Sequence, residues 1–352
     1  MSLHIDFSRM GLDNATVSAR FGGMYRAFFS ALRQCDTRVT YSYAEPDHHA
    51  DLLVVPMGGW QEQSSTQAIH AFDGPVVLYV PSAGRWFRPR YLARWRHRVL
   101  FAYGTDRSHH TLLNYRALKI PYYHLPFASD PEVMRPLSVP KLYDVIFVGD
   151  PASGTGRSKY VDALLSQASD RKLMFIGPGW ERYGFPRQSV AWGDTLNVFY
   201  NLARVCVNIH NDQQNQGPDA RLDANNRLFD LAMAGCFQVS NAPQIVRSYF
   251  SAEEVVAAES PEQWVAEVVF HLNHPNMREP YQRAARKRAC AEHTWAHRAC
   301  RFLELAEANL SGWQPTQTRV RFQRIGRMRD LHLPAYSPID ILRGIKRRLK
   351  RS

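Results

Sequence analysis

Short apolar runs that do not alternate with polar residues limit this chain's fold more than any other feature. Asp51–Met57, Pro75–Val80, Val99–Tyr103, Asp144–Val148, Lys172–Ile176 and Val205–Ile209 are nearly continuous in apolar side chains. A strand with one wet face alternates, whereas a strand covered on both faces does not. Shorter stretches at Leu3–Phe7, Arg38–Ser42 and Phe237–Val239 read as further strands, and several runs end at Gly or Pro. Helical segments lie between them. Gly22-Gly23 precedes one with apolar residues at Met24, Phe28 and Leu32; Ser158–Ala168, Asn226–Ala234, Pro261–Leu272 and Tyr281–Leu310 follow, the last with a break expected near His293-Thr294. Strands alternating with helices predict doubly wound parallel sheets in an α/β fold.

The series is broken once. Between Leu125 and Pro140 four prolines (126, 131, 136, 140) occur without a period, which is the composition of a linker. With 352 residues available, the expected layout is a Rossmann-like domain over 1–124, a linker over 125–140 and a second Rossmann-like domain over 141–312. A tail follows over 313–352. No run of apolar residues is long enough to span a bilayer. Five scattered cysteines without CxxC spacing argue against a disulfide framework or a cysteine zinc site, and fit a reducing cytoplasm.

The formal net charge of +12 is concentrated in the tail, which has eleven Arg/Lys against Asp330 and Asp340. A basic tail on a nearly balanced body is not the footprint of a nucleic-acid enzyme, so no nucleic-acid partner is expected. From Ser337 to Ser352 the tail reads as a short helix with a narrow apolar stripe (Ile341, Leu342, Ile345, Leu349) and a basic remainder. That pattern suits the surface of an anionic membrane, with packing back on the first domain or a solvated tail as the alternatives.

In open parallel sheets, ligands bind beyond the carboxyl ends of the strands. Two segments stand there. Gly149-Asp-Pro-Ala-Ser-Gly-Thr-Gly156-Arg157-Ser-Lys159 is a glycine-rich turn running into a helix, and amides, helix dipole, Arg157 and Lys159 together suit a diphosphate. It has neither Walker A nor GxGxxG spacing, and a solvated polar loop is the bland alternative. Asn225-Asn226-Arg227-Leu-Phe-Asp230 begins a helix whose Leu228, Leu231 and Ala232 can pack on the sheet. Asp230 can accept two hydrogen bonds from a ribose diol, or simply face the helix start. Among the fourteen histidines, His293 and His297 have the i, i+4 spacing of a metal pair but lack an acid between them. Together with the lack of a DxD motif, that leads us to expect no metal.

The segment Arg227-x-Phe-Asp-x-Ala-x-Ala-Gly-Cys-Phe-Gln-Val resembles the R-x-F-E-x-x-A-x-G signature of the CgeB-like (spore-maturation-type) GT-B glycosyltransferases, in the glycosyl transferases group 1 superfamily. Tyr143-Asp-Val-Ile-Phe-Val-Gly149, Ile176-Gly177-Pro-Gly-Trp180, Val207-Asn-Ile-His210, Tyr249-Phe-Ser-Ala-Glu-Glu254 and Ala291-Glu-His-Thr-Trp-Ala-His-Arg298 agree in order and spacing. The likeness runs from about Leu125 to Leu310. It implies a GT-B fold of two facing Rossmann-like domains and a nucleotide-sugar donor bound mainly by the second. It also implies a diphosphate near Gly149, Arg157, Lys159, Gly177 and Asn225–Arg227. The family's ribose-binding glutamate falls on Asp230, a shorter acid. Leu222, with Asp223 beside it, stands where related retaining enzymes carry a second acid, so retention or inversion stays open.

Under that resemblance the acceptor is a glycan or a lipid-linked glycan, as in cell-surface polysaccharide synthesis. The protein would be cytoplasmic or peripheral on the inner membrane face. An inverting reaction needs a base, for which the first domain offers Asp106 and His109, with His110 beside it. A helix cap and a surface imidazole are their structural alternatives. Gly58-Gly59 and Ser82-Ala-Gly84-Arg85 are candidate acceptor loops. The competing function is a nucleotide-sugar-binding or scaffold protein that has kept the fold without turnover, and a two-domain epimerase is a third.

Overall fold

Two all-parallel sheets account for the apolar runs. In the computed structural model the described residues are 2–43, 45–57, 62–80, 92–151, 156–188, 190–210, 223–311 and 313. The loops at Gly58-Gly59 and Ser82–Arg85, Leu222 and the stretch 337–352 lie outside them. Along the first half run β1 (His4–Ser8), α1 (Ala15–Gln34), β2 (Arg38–Ser42), β3 (Leu52–Pro56), α2 (Glu62–Ala71), β4 (Val76–Val80), β5 (Val99–Gly104), α3 (His109–Ala117) and β6 (Tyr122–His124). The six strands are ordered β2-β1-β3-β4-β5-β6, each pair parallel. Every residue of β3 and β4 is buried, as a lack of alternation requires.

The second half contains β7 (Tyr143–Val148), α4 (Arg157–Gln167), β8 (Leu173–Ile176), α5 (Asp194–Asn201), β9 (Ala203–Asn208) and α6 (Asn226–Met233). It continues with β10 (Gln238–Ser240), α7 (Pro243–Arg247), β11 (Val256–Ala257), α8 (Pro261–Asn273), α9 (Arg278–Glu292) and α10 (Trp295–Leu310). Its five strands are ordered β11-β10-β9-β7-β8, again parallel. Both faces are covered. Ile146 packs with Leu228, Leu231 and Ala232 on one side, while Val145 and Phe147 pack with Tyr160, Leu164 and Trp264 on the other.

The chain divides into two compact units that do not follow its midpoint. Among the described residues, those up to 10, those of 38–124 and those from 304 on form the first; those of 11–37 and 125–303 form the second. Helix α1 thus counts with the second unit, where Phe28 meets Trp295 and Phe302 with ring centroids 6.0 and 5.9 Å apart. Gly22-Gly23 lies inside α1 instead of preceding it. At Gly23 a Cβ would come within 2.4 Å of Trp192 Cε3, so close packing, not a turn, accounts for that glycine.

The break expected near His293-Thr294 separates α9 from α10. Arg298 holds it by donating to the carbonyls of Pro126, Phe127 and Glu292 and to His293 Nδ1. His293 Nε2 sits 3.2 Å from the Tyr249 carbonyl and His297 Nδ1 sits 2.6 Å from Thr294 Oγ1, so packing and capping occupy this pair. No helix among the described residues is long and apolar enough to cross a membrane.

Candidate functional site

The carboxyl ends of β7, β8 and β9 meet the first turns of α4 and α6. Backbone forms the floor there. Gly149 and Gly177 have φ of 155° and 142°, and a Cβ on Gly177 would lie 2.2 Å from the Gly149 carbonyl oxygen. Trp180, fully buried and stacked on Phe175, fixes that carbonyl by donating Nε1–H to it at 2.8 Å. A Cβ on Gly149 would also come within 2.8 Å of Arg227 Nη2. Bare backbone therefore lets the guanidinium approach.

Two arginines converge on this floor. Arg157 opens α4 and donates Nε–H to the Ile209 carbonyl (3.1 Å) and Nη1–H to the carbonyl and carboxylate of Asp150 (3.2 and 3.0 Å). Arg227, in the first turn of α6, lies 4.7 Å over the Phe147 ring and donates to Asn208 Oδ1 at 2.9 Å. Its acidity is increased, with the pKa lowered to about 10, chiefly by burial and further by the charge of Arg157. Asn225 caps α6 through Leu228 N–H and also donates to Asn208 Oδ1 at 2.9 Å. The buried Asn208 Nδ2 has no partner among the described residues.

His210 completes the group in the neutral form. Its Nε2 accepts from the Asn225 amide at 3.4 Å, which puts the ring proton on Nδ1, facing Ser240 Oγ. Burial, then the charges of Arg227 and Arg157, lower its pKa to about 3. Asn241 brackets its backbone, accepting from His210 N–H at 2.7 Å and donating to its carbonyl at 3.1 Å. Among the described residues, positive charge at the site thus comes from two guanidiniums, and Asp150 answers Arg157 with a hydrogen bond.

Asp230 is placed differently from the sequence expectation. It is fully buried, with Oδ1 accepting from Ser129 Oγ (2.7 Å) and Oδ2 from Trp192 Nε1 (3.1 Å) and Asn226 Nδ2 (3.0 Å). Burial raises its pKa to about 7 against the pull of those donors. A carboxylate enclosed in this way ties residues 129, 192 and 226 together. Lys159 is also displaced from the group. Two positions beyond Arg157 on the helix, it is exposed, with its ammonium 5.4 Å from the Tyr160 ring.

In the first unit, Asp106 is buried and accepts from Ser108 N–H (2.7 Å) and Thr111 Oγ1 (2.8 Å), bracing Ser108, which itself caps α3 by accepting from Thr111 N–H. His109 is exposed on the first turn of that helix. Asn208 and His210 stand out in the sequence only as part of the Val207–His210 motif, and Asn241, Trp192 and Ser129 not at all. Asn208 and His210 follow an apolar run, where strand-end residues collect. Trp192 and Ser129 have no local signal, since they stand 38 and 101 residues from Asp230.

Residues 157–304, less than half the chain, match the model of a glycosyl transferase-like family. No curated protein matches the chain in sequence. Solved structures similar to it include sucrose-phosphate synthase from Thermosynechococcus elongatus, at 11% identity and TM-score 0.63 over 88% of this chain and 100% of that one. T4 phage BGT, solved with its UDP-glucose substrate, is 14% identical with TM-score 0.57 over 86% and 99%. Anabaena Alr3699/HepE with UDP and glucose is 10% identical with TM-score 0.58 over 87% and 100%. These likenesses extend over both units and define the class: a GT-B fold of two Rossmann-like, parallel-sheet domains. Within that class, the family-level similarity is to glycosyl transferase-like proteins and lies in the second unit and the start of α10.

Proposed function

We propose that the protein is a glycosyltransferase whose nucleotide-sugar donor binds in the second unit, with its diphosphate against Arg157, Arg227 and the amides that open α4 and α6. One observation carries the reading: two guanidiniums meet at two helix N-termini with one hydrogen-bonded acid between them. Such an excess of fixed positive charge over bare backbone suits a dianionic bridge. In the reaction, the sugar C1–O bond to the diphosphate breaks as C1 bonds to an acceptor oxygen. The acceptor proton passes to a base, and the nucleoside diphosphate leaves with its growing charge met by the guanidiniums. For an inverting course His109 is the candidate base. Guanidiniums supply the neutralisation that a divalent cation supplies elsewhere, so the reading includes no metal.

Resemblance to CgeB-like enzymes favours a glycan or lipid-linked glycan as acceptor, in cell-surface polysaccharide synthesis on the cytoplasmic side. The nucleotide-sugar complexes of T4 phage BGT and Anabaena HepE support a uridine diphosphate donor as the first choice. A second reading, a donor-binding protein without turnover, is supported by the burial of Asp230 among Ser129, Trp192 and Asn226. Thermal-shift titration with nucleoside diphosphates and their sugars, followed by donor hydrolysis and transfer assays, separates the two. Stabilisation by no nucleoside diphosphate would sink both; stabilisation without hydrolysis or transfer would leave the second.

A further inference from the structure

The first unit carries charge of one sign around β5. From Leu92 to Lys119 there are six cations (Arg94, Arg96, Arg98, Arg107, Arg116, Lys119) and one acid, Asp106. That acid is buried and held by Ser108 and Thr111, so it does not offset the surface. Arg98 turns inward to the carbonyls of Ile69 and Gly74. Arg94, Arg96, Arg116 and Lys119 are exposed, Arg94 with its guanidinium 4.7 Å over the Trp95 ring. No acid forms an ion pair with Arg96, Arg116 or Lys119 among the described residues.

Two leucines stand among these cations. On α3 the residues Thr111, Asn114 and Tyr115 face inward, whereas Leu112, Leu113 and Arg116 are exposed and fall within about 100° of arc at 3.6 residues per turn. Leu112 is 43% and Leu113 38% exposed, while Leu52, Leu53, Leu78 and Leu92 of the same unit are fully buried. The turn before β5 and the turn before β6 lie at one edge of the sheet. These strands are parallel neighbours with Ala102 opposite Tyr122, so both turns stand at the amino ends of adjacent strands. Trp95 packs on the cluster that includes Leu92, Tyr115 and Leu118, and the exposed Arg94 and Arg96 flank it in sequence.

We infer that this face, α3 with the turn before β5, docks on an anionic lipid bilayer. Leu112 and Leu113 enter the interface and the arginines and Lys119 meet lipid phosphates. The leucines decide between partners. A nucleic acid offers phosphates to the cations but nothing to two exposed aliphatic side chains, since its bases stack on aromatic rings and guanidiniums. This inference is independent of the donor-site reading, because vesicle binding requires no nucleotide.

The test uses the full chain with vesicles of phosphatidylcholine alone and of phosphatidylcholine mixed with phosphatidylglycerol, read by co-sedimentation and by amide hydrogen exchange over 107–120. Binding is expected only with phosphatidylglycerol, with slowed exchange in α3. Leu112→Ser with Leu113→Ser, and separately Arg96→Glu with Arg116→Glu, should each weaken binding about ten-fold or more. Their melting temperatures should stay unchanged, since the side chains are exposed. Three results would overturn the inference: unaltered exchange in α3 with bound anionic vesicles, vesicle binding untouched by both double variants, or protection of α3 by an oligonucleotide but not by vesicles.

Discussion

Gly23 lies against Trp192 so closely that a Cβ there would come within 2.4 Å of the indole Cε3 and 2.9 Å of the Trp192 carbonyl oxygen. Trp192 in turn donates its indole N–H to Asp230. A glycine in α1 thereby sets the position of the ring that helps hold the buried acid of α6.

Gly23→Ala should therefore destabilise the protein by about 1–3 kcal/mol, the usual range for overpacking, although alanine is the better helix former. Gly22→Ala is the control. Its new Cβ would meet only side-chain atoms, of Arg26, Ser18 and Leu12, at 3.1 to 3.3 Å. Thermal melts of the two variants should differ clearly, with the Gly22 change near neutral. Equal melting points would remove the steric account of Gly23.

Asp230 should give stability an unusual pH dependence. Its folded pKa of about 7 lies above the ordinary 3.8, so the folded chain holds this proton more tightly than the unfolded one. The associated stability is fully present below about pH 4 and is lost as pH rises through 7, at about 1.4 kcal/mol per pH unit within that window. His210, lowered to about 3, acts in the opposite sense, losing stability as pH falls below its ordinary 6.5. Subtracting the curve of Asp230→Asn isolates the acid, because Asn keeps a neutral group that can donate to Ser129 and accept from Trp192 and Asn226. Denaturant titrations at pH 5 and 8 should show wild type losing ground to Asp230→Asn at the higher pH. Asp230→Ala, with three donors unpaired, should be worse than either.

The two cations of the glycine-rich turn should separate. Arg157→Ala should weaken binding of a nucleoside diphosphate at least ten-fold, about 1.4 kcal/mol, the lower end for a hydrogen bond to a charged group. Lys159→Ala should change it less than three-fold, because that ammonium is exposed beside Tyr160. Calorimetric titration of both variants checks this. A larger loss at Lys159 would mean that the turn binds the donor from its other side.

Chelation provides a fourth check. With guanidiniums carrying the charge of the leaving group, donor binding and turnover should persist in excess EDTA. Restoration of lost activity by magnesium or manganese would show that a cation shares the site.

Much of the fold was readable because burial on both faces leaves its mark in consecutive residues. Leu52–Pro56 and Val76–Val80 have no polar side chain to confuse the period. Gly22-Gly23 misled because a glycine pair usually marks a turn, and only the approach of Trp192 explains one inside a helix. The short β6 and β11 and the eight-residue helix α5 were too short to show a period. At the site, Arg157 and Arg227 were legible because a helix start shows itself locally. The enclosure of Asp230 was not, since it depends on Ser129 and Trp192, which only the folded chain brings to it.

The contact of Gly149 with Gly177 has a consequence for how such a protein can diversify. Where one backbone rests on another with no room for a Cβ, substitution has nothing to vary. That floor can only be kept or lost. Any change in what the second unit holds must then be made in the walls, in side chains such as Asn208, His210 and Arg227 and in the loops around them. A collection of variants selected for a different ligand should show mutations crowding those walls while positions 149 and 177 stay empty of change.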